Sequence, residues 1–170
     1  MASLMEELLS VMEQENEGYE KLLVFSEEKK QAVIKSKISE LEAITASEQE
    51  TADILKSLES KRTRILKDMS VVMGKDSEML TVTQIIDLLD KQPAEQEKLR
   101  AARDVLVQTA HKMHVANEQN ENLIRQALEM VEYDLTLIKS LKQAPETANY
   151  GRNAYSTGEL LGSSGFDAKQ

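Results

Sequence analysis

The stretch whose reading decides the fold is Leu99–Leu141, LRAARDVLVQTAHKMHVANEQNENLIRQALEMVEYDLTLIKSL. It holds neither Pro nor Gly. Apolar residues recur three and four apart, first as Leu99, Ala102, Leu106, Ala110 and Met113, then as Ile124, Leu128, Val131, Leu135, Ile138 and Leu141. That spacing predicts a helix with an apolar stripe along one side. At 1.5 Å per residue the helix would be about 65 Å long. A helix of that length with so narrow a stripe needs partner helices along it. The stripe is interrupted between its halves, where Asn117 and Asn120 stand in places that call for apolar residues.

Working outward, the 170 residues leave room for one domain. Charged residues make up 30% of the chain and aromatic residues 4%, with no Trp. Burial must therefore rest on Leu, Ile, Val, Ala and Met, which suits packed helices better than sheets. The net charge of −9 disfavours nucleic acid as a partner, since phosphates would be repelled. The short basic run Lys61, Arg62, Arg64 and Lys67 reads as a solvated helix face or a phosphate contact. No apolar run approaches the roughly 18 residues that span a bilayer, so no stable membrane insertion is expected. The N-terminus, MASLMEELLSVMEQE, carries acids where a signal peptide needs a basic start. The chain has no Cys and hence no disulfide, and the expected location is cytoplasmic.

Breakers are few and divide the chain into long helices. A first piece from about Ser3 to Ile34 carries Leu4, Leu8, Val11, Met12, Tyr19, Leu22, Leu23 and Val33 near helical spacing. Ser3 with Glu6 has a capping-box pattern. Gly18, in the middle, is either a close-packing point or an accident of an exposed face. Lys35–Ser39, KSKIS, is a tight turn or a kink, with Ser39 and Glu42 as a further capping box. A turn would make the first two helices antiparallel. The second piece runs from about Ile38 to Met73 and stops at GKDS, with Gly74 as C-cap.

Between Met79 and Gln92, TVTQIIDLLDKQP predicts a short insert helix capped by Thr81 or Thr83. Its apolar side would be Ile85, Ile86, Leu88 and Leu89, packed as a lid over the bundle end or left as a binding site. Pro93 would then open the long third helix, where Pro is favoured. The expected fold is all-α: an elongated antiparallel bundle of three long helices, an insert helix and a flexible C-terminal tail. Residues 1–142 would form the bundle and 143–170 the tail. Four of the six Gly fall in the last twenty residues, and Tyr150, Tyr155, Leu160, Leu161 and Phe166 are spaced through the tail. A polar segment with apolar anchors at intervals folds on a partner or docks on its own bundle.

Signatures of catalysis do not occur. There is no Cys nucleophile, GxSxG, P-loop or GxGxxG. His111 and His114 lie three apart, but no Glu-x-x-His of a di-iron bundle accompanies them. The expectation is a protein that is not an enzyme, with no cofactor and no metal.

Three features together resemble the FlgN family of flagellar type III export chaperones. The long helix carries Asn117, Asn120, Leu123 and Ile124, followed by Ala127, Leu128 and Val131. EKLLVFSEEKKQAVIKSKISELEAI (20–44) gives an acidic helix, a short break and a second Glu-rich helix. Tyr150–Gly151 stands in the tail. The resemblance implies a cytoplasmic chaperone that binds the C-terminal segments of the hook-associated proteins FlgK and FlgL. It would keep them unassembled and deliver them to the type III export apparatus. A self-associating coiled-coil structural or adaptor protein is the alternative.

The expected partner-binding residues are Ile124, Leu128, Val131, Leu135, Ile138 and Leu141, where the stripe is cleanest, with the adjacent tail anchors Tyr150, Tyr155, Leu160, Leu161 and Phe166. Asn117 and Asn120 either make a polar contact with a partner or fix helix register inside the bundle.

Overall fold

The computed structural model describes residues 2–75 and 79–143. Among them are four helices and no strand: α1 (Ala2–Ile34), α2 (Ile38–Val72), α3 (Val82–Leu88) and α4 (Pro93–Gln143). The all-α bundle expected from periodicity is what forms. The tail anchors from Tyr150 to Phe166 lie outside the described residues. Two compact units divide the chain, Met1–Ala127 and Leu128–Gln170, and α4 contributes to both.

In the first unit α1 and α2 are antiparallel. Lys29 pairs with Glu48, Gly18 lies against Leu55, and Arg62 pairs with Glu15, so numbers fall along one helix as they rise along the other. The hairpin closes through backbone geometry. Ser36 takes a left-handed conformation (φ 53°), the Lys37 N–H donates to the Ala32 carbonyl at 2.9 Å, and the Ser36 N–H donates to the Val33 carbonyl at 3.1 Å. These two bonds satisfy carbonyls that the helix end leaves open, the arrangement known as a Schellman motif. The expected capping box of Ser39 and Glu42 does not form. Lys37 occupies the N-cap of α2 with no side-chain bond, and Ser39 is already inside the helix. Ser3 likewise lies within α1.

The end of α2 uses the same device with the residue best suited to it. Gly74 has φ 71°, its N–H donates to the Val71 carbonyl at 3.0 Å, and the Lys75 N–H donates to the Ser70 carbonyl at 2.9 Å. A side chain at a left-handed position is strained, which is why Gly suits it.

α3 is held at both ends. Thr81 and Gln84 form a reciprocal capping box: the Gln84 N–H donates to Thr81 Oγ1 at 3.3 Å, and the Thr81 N–H donates to Gln84 Oε1 at 2.8 Å. Ser70 accepts the Leu80 N–H at 3.2 Å, and Gln96 donates to the Ile86 carbonyl at 2.8 Å. Leu80, Val82, Ile85, Ile86 and Leu89 are buried in the core. Leu88, expected with them, is exposed, because it follows Ile85 and Ile86 round to the solvent side of a seven-residue helix. The insert is thus a part of the core, joined there by Met5, Leu8, Val11 and Met12 of α1, Ile65, Leu66 and Met69 of α2, and Leu99 and Leu106 of α4. Each fully buried side chain of this size contributes about 1.5–3 kcal/mol.

α4 runs parallel to α1 within this unit. Leu9, Met12, Glu13 and Asn16 share a shallow groove with Ala101, Ala102 and Val105, and Asn120 reaches Ser26. The sequence separation of 94 between Asn120 and Ser26 also separates Leu99 from Met5 and Leu106 from Met12, two pairs within the same core.

Candidate functional site

Away from the α3 end, the first unit becomes more polar inside. Thr51, Ser26, Thr109 and Asn120 are buried, with Leu22, Leu55 and Ala32 as the apolar residues among them. Asn120 is only 5% exposed and donates Nδ2 to the Ser26 carbonyl at 2.7 Å and to Ser26 Oγ at 2.8 Å. Asn117 is exposed. The two Asn of the interrupted stripe are therefore in different places, one joining α4 to α1 and one facing solvent.

A second polar contact joins α1 to α2. Glu15 is buried, and its Oε1 lies 3.1 Å from Nε of Arg62. The Arg62 N–H is not aimed along that line, and neither it nor Glu15 Oε2 has a hydrogen-bond partner among the described residues. Burial raises the pKa of Glu15 above the ordinary carboxylate value, opposed by the charge of Arg62 and reinforced by Glu59. Tyr19 is raised as well, by burial first and then by Glu15 and Glu59. Two members of the basic run are thus engaged with α1, since Lys61 also lies 3.7 Å from Glu7.

Gly18 resolves as a packing point. A Cβ at that position would stand 2.7 Å from Leu55 Cδ2 and 3.0 Å from Leu55 Cγ. The hydrogen atom of Gly is what lets the two helices approach here.

The exposed apolar surface is concentrated in the second unit, described over Leu128–Gln143. α4 has 51 residues against 33 in α1 and 35 in α2, so no other described helix matches its length. Leu128, Val131, Leu135 and Ile138 are each about half exposed. Spaced three and four apart, they share one side of the helix. Leu141 is 70% exposed. Ile124, expected at the head of this row, lies in the first unit and is half-buried.

A second row has the same three-and-four spacing in a different phase. Met130 is 70% exposed, Tyr133 67% and Leu137 48%. At about 100° per residue these fall together with Leu141, on a side well away from Leu128 and Leu135. Between the rows on one flank lie Arg125, Glu129, Glu132, Thr136, Lys139 and Ser140. On the other flank Asp134 is the polar residue between the rows.

His111 and His114 are exposed, with His114 Nε2 3.4 Å from Glu118. Among the described residues no group of His, Asp and Glu is placed to hold a metal ion, and no helix is long and apolar enough to cross a membrane.

The described residues thus form a helical bundle with large aliphatic and aromatic residues open along one helix. The model of the FlgN protein family matches residues 1–157, and the chain belongs to the FlgN family of flagellar export chaperones, a chaperone family and not an enzyme family. No curated protein and no solved structure matches the chain.

Proposed function

We propose that this FlgN-family chaperone binds the C-terminal segments of the hook-associated proteins FlgK and FlgL in the cytoplasm, keeps them unassembled and passes them to the export apparatus. The observation that carries this reading is the row Leu128, Val131, Leu135, Ile138 and Leu141, left open on α4 in a member of a chaperone family. An amphipathic client helix laid along that row would bury the apolar side chains it otherwise uses to assemble, in the helix-in-groove mode. The tail anchors Tyr150, Tyr155, Leu160, Leu161 and Phe166 follow α4 closely enough to add to that contact. The acidic surface, with a net charge of −9, favours a client segment with basic residues flanking its apolar ones.

Titration calorimetry of the full chain with the C-terminal segment of FlgK, and separately of FlgL, tests the assignment. Saturable one-to-one binding to either is the expected result, and absence of heat with both overturns the client assignment. Light scattering at low concentration tests the rival of a self-associating adaptor. An obligate large oligomer that binds neither segment would favour it.

A further inference from the structure

Of the second row on α4, Met130, Tyr133 and Leu137 have no place in the client contact just described, because they face a different way; Leu141 stands between the two rows. Upstream, the same side of the helix is mixed: Gln108, Lys112, Gln119 and Gln126 are exposed, together with Val105 and Val115, and Leu123 is half-buried there. From Met130 onward that side turns apolar, as Met130, Tyr133, Leu137 and Leu141. Large apolar side chains left open together over the last turns of a helix call for something that reaches those turns.

One segment of this chain begins there. The described helix ends at Gln143, and 27 residues follow it. Pro145 stands two positions beyond the helix end, where it opposes continuation of the helix and favours a change of chain direction. From Met130 to Gln143 the helix rises about 20 Å. The stretch from Ala144 to Phe166 spans far more than that when extended, at about 3.3 Å per residue. It brings five large apolar residues, three of them aromatic, within a segment otherwise made of Gly, Ser, Asn, Thr and a few charges. It holds one basic residue, Arg152, and two acidic ones, Glu146 and Glu159, so little charge opposes its approach to an acidic protein.

We propose that the chain's own C-terminal segment, Tyr150–Phe166, docks along the Met130–Tyr133–Leu137 row of α4 and leaves the Leu128–Leu135 row free. Tethering makes this an intramolecular event at an effective concentration in the millimolar range, so weak contacts suffice. The docked segment widens α4 and puts its remaining side chains beside the client row. The inference does not depend on the client's identity and can fail while the client assignment stands.

Hydrogen exchange of the α4 amides between 128 and 143 tests it in the full-length chain without client. The comparison is with a full-length variant carrying Tyr155→Ser, Leu160→Ser, Leu161→Ser and Phe166→Ser, which alters no described residue. The expected result is exchange slower in the unmodified chain by on the order of tenfold, unchanged on tenfold dilution. Met130→Ser with Leu137→Ser abolishes that protection, and Leu128→Ser with Leu135→Ser leaves it. Equal exchange in the two chains overturns the proposal. Loss of protection on dilution overturns it in favour of a second copy on the row. Protection removed by the Leu128 and Leu135 substitutions, but not by those at Met130 and Leu137, overturns it in favour of a tail seated on the client row.

Discussion

Asn120 of α4 donates both of its amide contacts to a single residue of α1, Ser26, reaching the carbonyl at 2.7 Å and the hydroxyl at 2.8 Å across 94 positions of sequence. Both residues are buried. The contact is sensitive to register: a shift of α4 by one turn, about 5.4 Å, breaks both bonds and leaves the amide buried without a partner. Asn120→Ala is expected to lower unfolding stability by about 1–3 kcal/mol and Ser26→Ala by about 1 kcal/mol. The double variant should cost less than their sum by roughly 0.5–1.5 kcal/mol. Urea unfolding of the four chains measures this cycle, and strict additivity would show that the two side chains are not coupled.

Gly18 and Leu55 give the second prediction. In an exposed helix, Gly→Ala gains about 1 kcal/mol. Here the added methyl meets Leu55 Cδ2 at 2.7 Å, a separation that cannot persist. Gly18→Ala should therefore destabilise the chain, by about 1 kcal/mol net of the propensity gain. In a Leu55→Ala background the same substitution enters vacated space and should stabilise. The reversal of sign, measured by thermal or urea unfolding, is the diagnostic outcome. The same sign in both backgrounds would place the close approach elsewhere.

Much of the fold is legible in the apolar periodicity of three long helices, in Pro93 at the start of α4 and in Gly74 at the end of α2. Less legible are features decided by backbone hydrogen bonds and three-dimensional proximity. Ser36 holds the left-handed position of the first turn although nothing in KSKIS marks it above its neighbours, and that turn sets the start of α2 at Ile38, one residue ahead of the Ser39 that resembled a cap. Glu15 reads as one more acid of an acidic helix, and only its position opposite Arg62 distinguishes it. The Asn pair was visible as an interruption, but helical phase and the neighbouring α1 separate a buried Asn120 from an exposed Asn117. Of the candidate site, the Leu128–Ile138 row follows from spacing of three and four. The Met130–Leu141 row has the same spacing of three and four, but it is not in phase with the Leu99–Met113 stripe that continues into the first row.

Glu15 makes stability depend on pH in a direction opposite to that of most paired carboxylates. Its pKa in the folded chain is raised above 4.5, chiefly by burial. The folded chain therefore holds the proton more tightly than the unfolded chain. Protonation favours folding, and Glu15 opposes folding most when it is fully ionised. Against Glu15→Gln, which does not titrate, the unmodified chain should gain relative stability as pH falls from neutral through the folded-state value, levelling off below about 4.5. Unfolding free energies of both chains between pH 7 and pH 4 measure the difference. A difference that stays flat, or that falls as the solution is acidified, would mean that Arg62 outweighs burial at this site.

The central claim is that the Leu128–Ile138 row of α4 holds the client. The most direct measurement is the affinity of the full-length chain for the C-terminal segment of FlgK, compared with that of a variant carrying Leu128→Ser and Leu135→Ser and of a control carrying Val107→Ser, an equally exposed residue of the first unit. Loss of two apolar anchors should weaken binding by about 100-fold, near 2.7 kcal/mol, with helix content and the control affinity unchanged. Equal affinity in all three chains would contradict the account and place the client elsewhere on the protein.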